Sequence, residues 1–346
     1  MEFDFTSRRV IRELCIDSRI PVSRIAEKVG RSRSTIAARI PFVEENAGLC
    51  YTVEPNLDAI GLSYSYFVAV KLRRDIPEEN LASLLSSSAI PQFAAFCRGE
   101  FDLLLFVSAR NHLEYMRWSY QFRSALSEEI VSWKASHLVF ARHGFFPINE
   151  RTISESTIPS PQKELLAELN RNSRLTFREL AKKLKMSVPR VRYYYRLLVK
   201  SGMIKRFTAV MQTPSKPVHL VHFRHYTYQA DHEAVSKRDR VLIKTESEFQ
   251  VPNTYSFVVE TSGASDGFDW TSAETINEAY AGLRAAEQLY GGFLKTECAT
   301  VTKVVYGLWP IRSMDLDECY DESSWDEARD GKSKDKLKTA HAENRD

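Results

Sequence analysis

The sequence predicts an α+β fold in which two winged helix-turn-helix units alternate with two antiparallel βαββαβ layers, followed by an acidic tail. Three observations point there. A pattern of three short helices over residues 10–49 recurs over residues 165–203. A strand-rich rhythm follows each copy. The last stretch is too charged to bury.

The composition sets the bounds. At 346 residues, 43% of them hydrophobic, the chain is long enough for several domains with real cores. The N-terminus, MEFDFTSRRV, has no apolar leader, and no run approaches the roughly 18 apolar residues of a membrane span. A cytoplasmic chain with no membrane partner is expected. Five cysteines (15, 50, 97, 298, 319) share no metal or redox spacing and read as reduced thiols. Net charge is +3, but residues 314–346 hold 11 acids against 6 bases, leaving +8 on the remainder. That tail, 313–346, is expected to be disordered.

At an offset of 155, Glu13 meets Glu168, Leu14 meets Leu169, Ser18-Arg19 meets Ser173-Arg174, Lys28 meets Lys183, and Ser32 meets Ser187. Each copy parses as a first helix (about 7–16 and 161–171), a second (about 22–29 and 176–184) and a third. Ser32 and Ser187 suit N-caps of the third helix, and Gly48 and Gly202 suit its end. Helix, short turn and capped helix is the helix-turn-helix plan. The β-prone stretches Leu49–Val53 and Met203–Val210 are expected to supply each unit with a wing. Pro41, inside the first copy's third helix, is expected to kink or shorten it.

After the first copy come a strand at Tyr64–Leu72, a helix after Pro77, strands near 91–97 and 101–108, a helix over 111–126 and a strand near 135–146. That order is the ferredoxin-like plan. The second layer reads as strand 218–228, helix 231–245, strand 254–262, a short strand near Gly267–Trp270, helix 273–290 and strand 296–309. The expected domains are 1–55, 60–148, 162–212 and 216–312, with a polar linker at 149–161.

The run Asp17-Ser18-Arg19, Ile25-Ala26, Val29-Gly30-Arg31-Ser32, Arg39-Ile40 and Gly48-Leu49, followed by Gly99-Glu100-Phe101-Asp102, resembles the Lrp/AsnC, or feast/famine, family of prokaryotic transcription regulators. The likeness covers nearly all of residues 5–312, with two units in one chain where ordinary members carry one. It implies double-stranded DNA as partner, and a small-molecule effector such as an amino acid at Gly99, Phe101 and Asp102. In the second half, the matching effector turn is expected at Gly267-Phe268-Asp269. The resemblance also implies pairing of the two layers, as an intramolecular pseudo-dimer or in a homo-oligomer.

The two helix-turn-helix units differ in charge. Residues 1–55 hold 9 bases and 8 acids; residues 160–206 hold 13 bases and 3 acids. Phosphate binding needs positive charge, so the second unit is expected to carry most of the DNA affinity. Helical phase in SVPRVRYYYRLLVKS puts Val191, Tyr194, Tyr195 and Leu198 on an inward arc. Arg192, Tyr193, Arg196 and Lys200 face outward, Arg190 stands at the rim, and Lys182, Lys183 and Lys185 precede the helix. In the first unit the outward positions are small, leaving Arg31, Arg33 and Arg39 for contact.

No catalytic constellation, metal site or cofactor is expected. His219, His222 and His225 fall in one strand at a spacing that alternates faces. Two other readings stay open. Siroheme decarboxylases reuse a paired Lrp/AsnC-like architecture, so the fold alone leaves room for tetrapyrrole chemistry. A protein-interaction scaffold with vestigial helix-turn-helix units is the other, kept alive by the neutral first unit.

Overall fold

A computed structural model describes residues 3–143, 146–211, 217–226, 255–289 and 294–308. The expected helix at 231–245 and the tail at 313–346 lie outside the described residues.

The first half opens with helices α1 (Phe5–Ile16), α2 (Val22–Val29) and α3 (Arg33–Ala47), then strand β1 (Leu49–Pro55). Asp4 accepts the Ser7 amide at the start of α1, and Ser32 accepts that of Thr35 at the start of α3. Gly30 and Gly48 adopt left-handed φ values of 70° and 58° and end α2 and α3. Val10, Ile11, Leu14, Ile25, Ile36, Ile40 and Val43 fill the space between the helices. Contrary to expectation, α3 runs through Pro41 for 15 residues. Pro41 lies on the exposed side, where water can satisfy the Ala37 carbonyl that lost its N–H partner.

The second half repeats this order after a short helix, α6 (Glu150–Glu155), within the expected linker. Helices α7 (Ser160–Arg171), α8 (Phe177–Lys183) and α9 (Val188–Lys200) lead into strand β6 (Ile204–Met211). Thr176 and Glu179 form a capping box on α8. Lys185, at the position matching Gly30, is left-handed at φ 51°. One turn geometry thus serves both units, whichever residue occupies it.

The expected separate wings are corrected by the structure. Strands β1 and β6 pair with each other in one antiparallel ribbon, from Leu49 opposite Met211 to Glu54 opposite Arg206. Each unit supplies only one strand, so neither can satisfy its ladder alone. The central pair of the ribbon, Thr52 opposite Thr208, binds crosswise. The Thr52 hydroxyl donates to Asn170 at 3.1 Å, and the Thr208 hydroxyl to the Cys15 carbonyl at 2.5 Å. The buried Ser18 and Ser173 hydroxyls meet at 2.6 Å.

The remaining strands close into one eight-stranded barrel. From the first half come β2 (Tyr64–Leu72), β3 (Pro91–Gly99), β4 (Leu103–Ala109) and β5 (Ile130–His143), with helices α4 (Glu78–Ser86) and α5 (His112–Ala125). From the second come β7 (Val218–Tyr226), β8 (Tyr255–Gly263), β9 (Gly267–Ala273) and β10 (Leu294–Tyr306), with helix α10 (Ile276–Leu289). Around the barrel the order is β3-β4-β2-β5 and then β8-β9-β7-β10, the same permutation in each half. The seams are β5 on β8 and β10 on β3. Eight strands leave an interior that side chains can fill. Phe67, Phe93, Phe101, Phe106, Phe146, Phe223, Phe268 and Trp270 fill it from both halves, with Phe67 stacked on Phe268 at 4.3 Å.

Candidate nucleic-acid interface

Helix α9 is held from behind. Val191 and Leu198 are fully buried against Leu165, Leu169 and Leu180; burying such side chains stabilises by about 1.5–3 kcal/mol each. Tyr194 and Tyr195 pack on the same core, as helical phase predicts. Tyr195 lies parallel to Phe207 at 5.5 Å and edge-on to Phe177 at 5.1 Å. The Arg19 guanidinium, from the first half, stands over the rings of Phe177, Tyr195 and Phe207 at 5.4–5.6 Å. Its Nη1 donates to the carbonyls of Ser173 and Leu175. Arg174 sits likewise over Tyr51 of the first half at 5.0 Å. The Ser-Arg pairs stand out in the repeat, but nothing in the sequence assigns them to clamping the units together.

The opposite face of α9 is open. Arg190, Arg192, Arg196 and Lys200 are exposed, and Tyr193 is 58% exposed between them. Arg190 leans over the Tyr194 ring at 5.7 Å and Arg192 over Phe177 at 5.5 Å. Lys182, Lys183 and Lys185 extend the positive surface across the turn. Of these, Lys183 is engaged, its Nζ 2.9 Å from Glu168. Burial pushes the Glu168 carboxyl up, but Lys183 and Arg171 outweigh it and hold it below the ordinary value. Lys28 bonds Glu13 in the same way at 2.5 Å.

The first unit presents less. Arg31 and Arg33 are exposed at the start of α3, beside Ser34, Ala37 and Ala38. Arg39 is drawn back: Nη2 lies 3.1 Å from Asp4, Nη1 donates to Ser7 Oγ at 3.3 Å, and the guanidinium stands over Phe42. Hydrogen bonds from the Ser7 side chain and amide hold the Asp4 carboxyl below its ordinary value, with Arg39 adding to them.

Gly99, Phe101 and Asp102 come together at the seam between β3 and β10. A Cβ on Gly99 would stand 2.6 Å from the Cys298 carbonyl oxygen. Phe101 is buried edge-on to Phe223 at 5.5 Å. Asp102 accepts the Leu72 amide at 2.8 Å and Lys71 Nζ at 2.9 Å. The corresponding turn of the second half is Gly263–Asp266, not the expected Gly267–Asp269. Gly263 has φ 121° and a Cβ there would lie 3.1 Å from the Ala135 carbonyl, while Asp266 accepts the Tyr226 amide at 2.8 Å. Gly267 instead begins β9. The Phe-Asp pair at 268–269 drew attention to the wrong glycine, because Ser265 replaces the aromatic of the true turn and bonds Ser136 Oγ at 2.7 Å.

The strand histidines divide as their spacing implies. His219 lies beside Trp270 and Ser272. His222 faces the other way and joins a buried polar cluster: its Nε2 is 3.1 Å from Asp269 Oδ2, and Arg224 Nε is 2.9 Å from the same oxygen. Arg224 also donates to the Val259 carbonyl and the Tyr226 hydroxyl. Sequence reasoning missed this cluster because Asp269, which joins His222 and Arg224 of β7, comes from β9. Among the described residues, no group of three or more His, Cys, Asp or Glu side chains could hold a metal ion, and no helix is long and apolar enough to cross a membrane.

Known proteins agree with this arrangement at several levels. An AsnC-type helix-turn-helix domain model matches residues 3–41, and a winged helix-turn-helix DNA-binding model matches residues 162–205. The proline dehydrogenase transcriptional activator of Rhodobacter capsulatus is 33% identical over 127 residues, 36% of this chain and 82% of that protein. An uncharacterised HTH-type transcriptional regulator of Pyrococcus abyssi is 29% identical over 117 residues, 33% of this chain and 78% of its own length. Among solved structures, the siroheme decarboxylase NirDL superposes with a TM-score of 0.58 at 13% identity, over 91% of this chain and 98% of that one. That likeness concerns the fold alone.

Proposed function

Since the chain belongs to the AsnC-type, or Lrp/AsnC, family of helix-turn-helix transcription regulators, we propose that it binds double-stranded DNA through the major groove, chiefly with α9. One observation carries this reading: the exposed face of α9 holds Arg190, Arg192, Tyr193, Arg196 and Lys200 on a unit with 13 bases and 3 acids. Counterion release from phosphates supplies most of the affinity of such a surface. Arg31 and Arg33 of the first unit add weaker contacts, and Arg39 reaches DNA only after leaving Asp4. Selection of bound sequences from genomic DNA tests the reading. The double variant Arg192→Ala/Arg196→Ala should lose about tenfold or more in affinity and flatten the log–log salt slope by about 2. Unchanged affinity and slope would remove α9 from the interface.

The halves are read as a tandem duplication in which two ferredoxin-like layers take the place of a homodimer. The matched strand orders, the Glu13–Lys28 and Glu168–Lys183 pairs, and the Gly99 and Gly263 turns support it. An amino-acid effector near Gly99–Asp102 belongs to the same reading. Gly99, Phe101 and Asp102 already serve the barrel, so recognition falls to groups around them. Thermal-shift screening of free amino acids is the direct assay.

The siroheme decarboxylase fold match along 91% of the chain keeps one second reading in view. Titration with siroheme separates the two: a stoichiometric absorbance change without salt-dependent DNA binding would favour tetrapyrrole chemistry.

A further inference from the structure

We propose that the acidic segment 315–330 docks on the basic face of α8 and α9 and competes there with DNA. The proposal rests on the DNA-binding reading for its purpose, although the contact itself does not.

The charges are complementary. Residues 315–330 hold eight acids (Asp315, Asp317, Glu318, Asp321, Glu322, Asp326, Glu327, Asp330) and one base, Arg329. On the docking face, Lys182, Lys185, Arg190, Arg196 and Lys200 are exposed with no carboxylate within salt-bridge distance among the described residues. Of the neighbouring cations, Lys183 is engaged by Glu168, Arg171 by Glu150 and Arg206 by Glu54, while Arg178 and Lys205 are also exposed. Five exposed cations thus remain on the face where DNA would lie. Tyr320 and Trp325 stand among the acids, and aromatic faces suit exposed guanidinium groups and the open Tyr193 ring.

The point of departure favours this target. Strand β10 ends at Tyr306, whose hydroxyl accepts from Asn149 Nδ2 at 2.6 Å. Asn149 caps α6, which is tied to α7 by Arg171–Glu150 at 2.5 Å and by Lys163 donating to the Ser154 carbonyl at 2.9 Å. The chain thus leaves the barrel at the foot of the second unit. From Leu308, Asp315 lies within about 25 Å of extended chain and Asp330 within about 75 Å. The 13 residues of α9 span only about 20 Å.

A carboxylate-rich segment offers the cations what phosphates offer, without base edges. Because it must leave before any duplex docks on that face, it lowers the apparent affinity for every duplex by the same factor.

The test uses two full-length proteins, the native chain and one with the eight acids changed to Asn or Gln. Zero-length carbodiimide crosslinking with peptide mapping should join 315–330 to Lys182, Lys185 or Lys200, and added duplex should suppress those links. Random-sequence duplex should bind the neutralised protein about tenfold tighter at low salt, a gap that closes near 0.5 M salt. Crosslinks that favour no lysine of the second unit over Lys71 or Lys134 overturn the proposal. So does equal DNA affinity of the two proteins. If crosslinks form as expected and neither protein binds DNA, the DNA-binding reading falls and the docking stands.

Discussion

At Lys185 the backbone takes φ 51°, in the turn where the first unit has Gly30 at φ 70°. An L side chain in that region costs about 1 kcal/mol or more. Lys185→Gly should therefore raise stability by up to about 1 kcal/mol in denaturant unfolding, while removing one charge from the proposed interface. Retaining lysine there at an energetic cost accords with a role for its charge. Glu168 sets a second local expectation. Its folded carboxyl lies below the ordinary value, so its contribution is present above the unfolded pKa of about 4.3 and lost as pH falls through the folded one. Melting temperature followed from pH 6 to pH 2 should drop in that window, and less so in a Glu168→Gln variant.

Among the elements, the helices were the most legible in the sequence, because caps and apolar phase are local signals. Ser32 and Gly48 mark helix ends that the structure reproduces, Ser187 stands at the start of α9 without a side-chain cap bond, and the inward arc of α9 follows from spacing alone. Strand partners were not legible. Nothing in Leu49–Val53 or Met203–Val210 says that each pairs with the other rather than folding back on itself. The outward positions of α9 were legible, whereas the withdrawal of Arg39 to Asp4 was not, since the partner caps α1, two helices earlier. The seams make a sharper test. Gly99 stands where any Cβ would strike the β10 backbone. Gly99→Val should cost about 3 kcal/mol or more, read as a loss of cooperative unfolding, with both halves affected together.

For the whole molecule, the barrel seams and the β1–β6 ribbon join the two halves within one chain among the described residues. At dilutions where sedimentation gives the mass of a single chain, both halves should still be folded, and the melting temperature should not change with concentration. A melting point that fell on dilution would show that the halves pair between chains instead. The two units meet the solvent differently: one is almost neutral, and the other carries the positive face. Asymmetric footprints, strong on one side of the site and faint on the other, are the outcome expected if that difference governs binding.

The shared ribbon also bears on dosage. A regulator assembled from two identical chains must first find its partner, so at low abundance its active form rises with the square of its level. Here the partner strand comes with the same polypeptide, so closing the ribbon itself calls for no second chain. If the single chain is also the DNA-binding unit, occupancy of a target should rise in simple proportion to the number of copies made. Freed from serving both positions at once, each unit's sequence can also drift toward its own task.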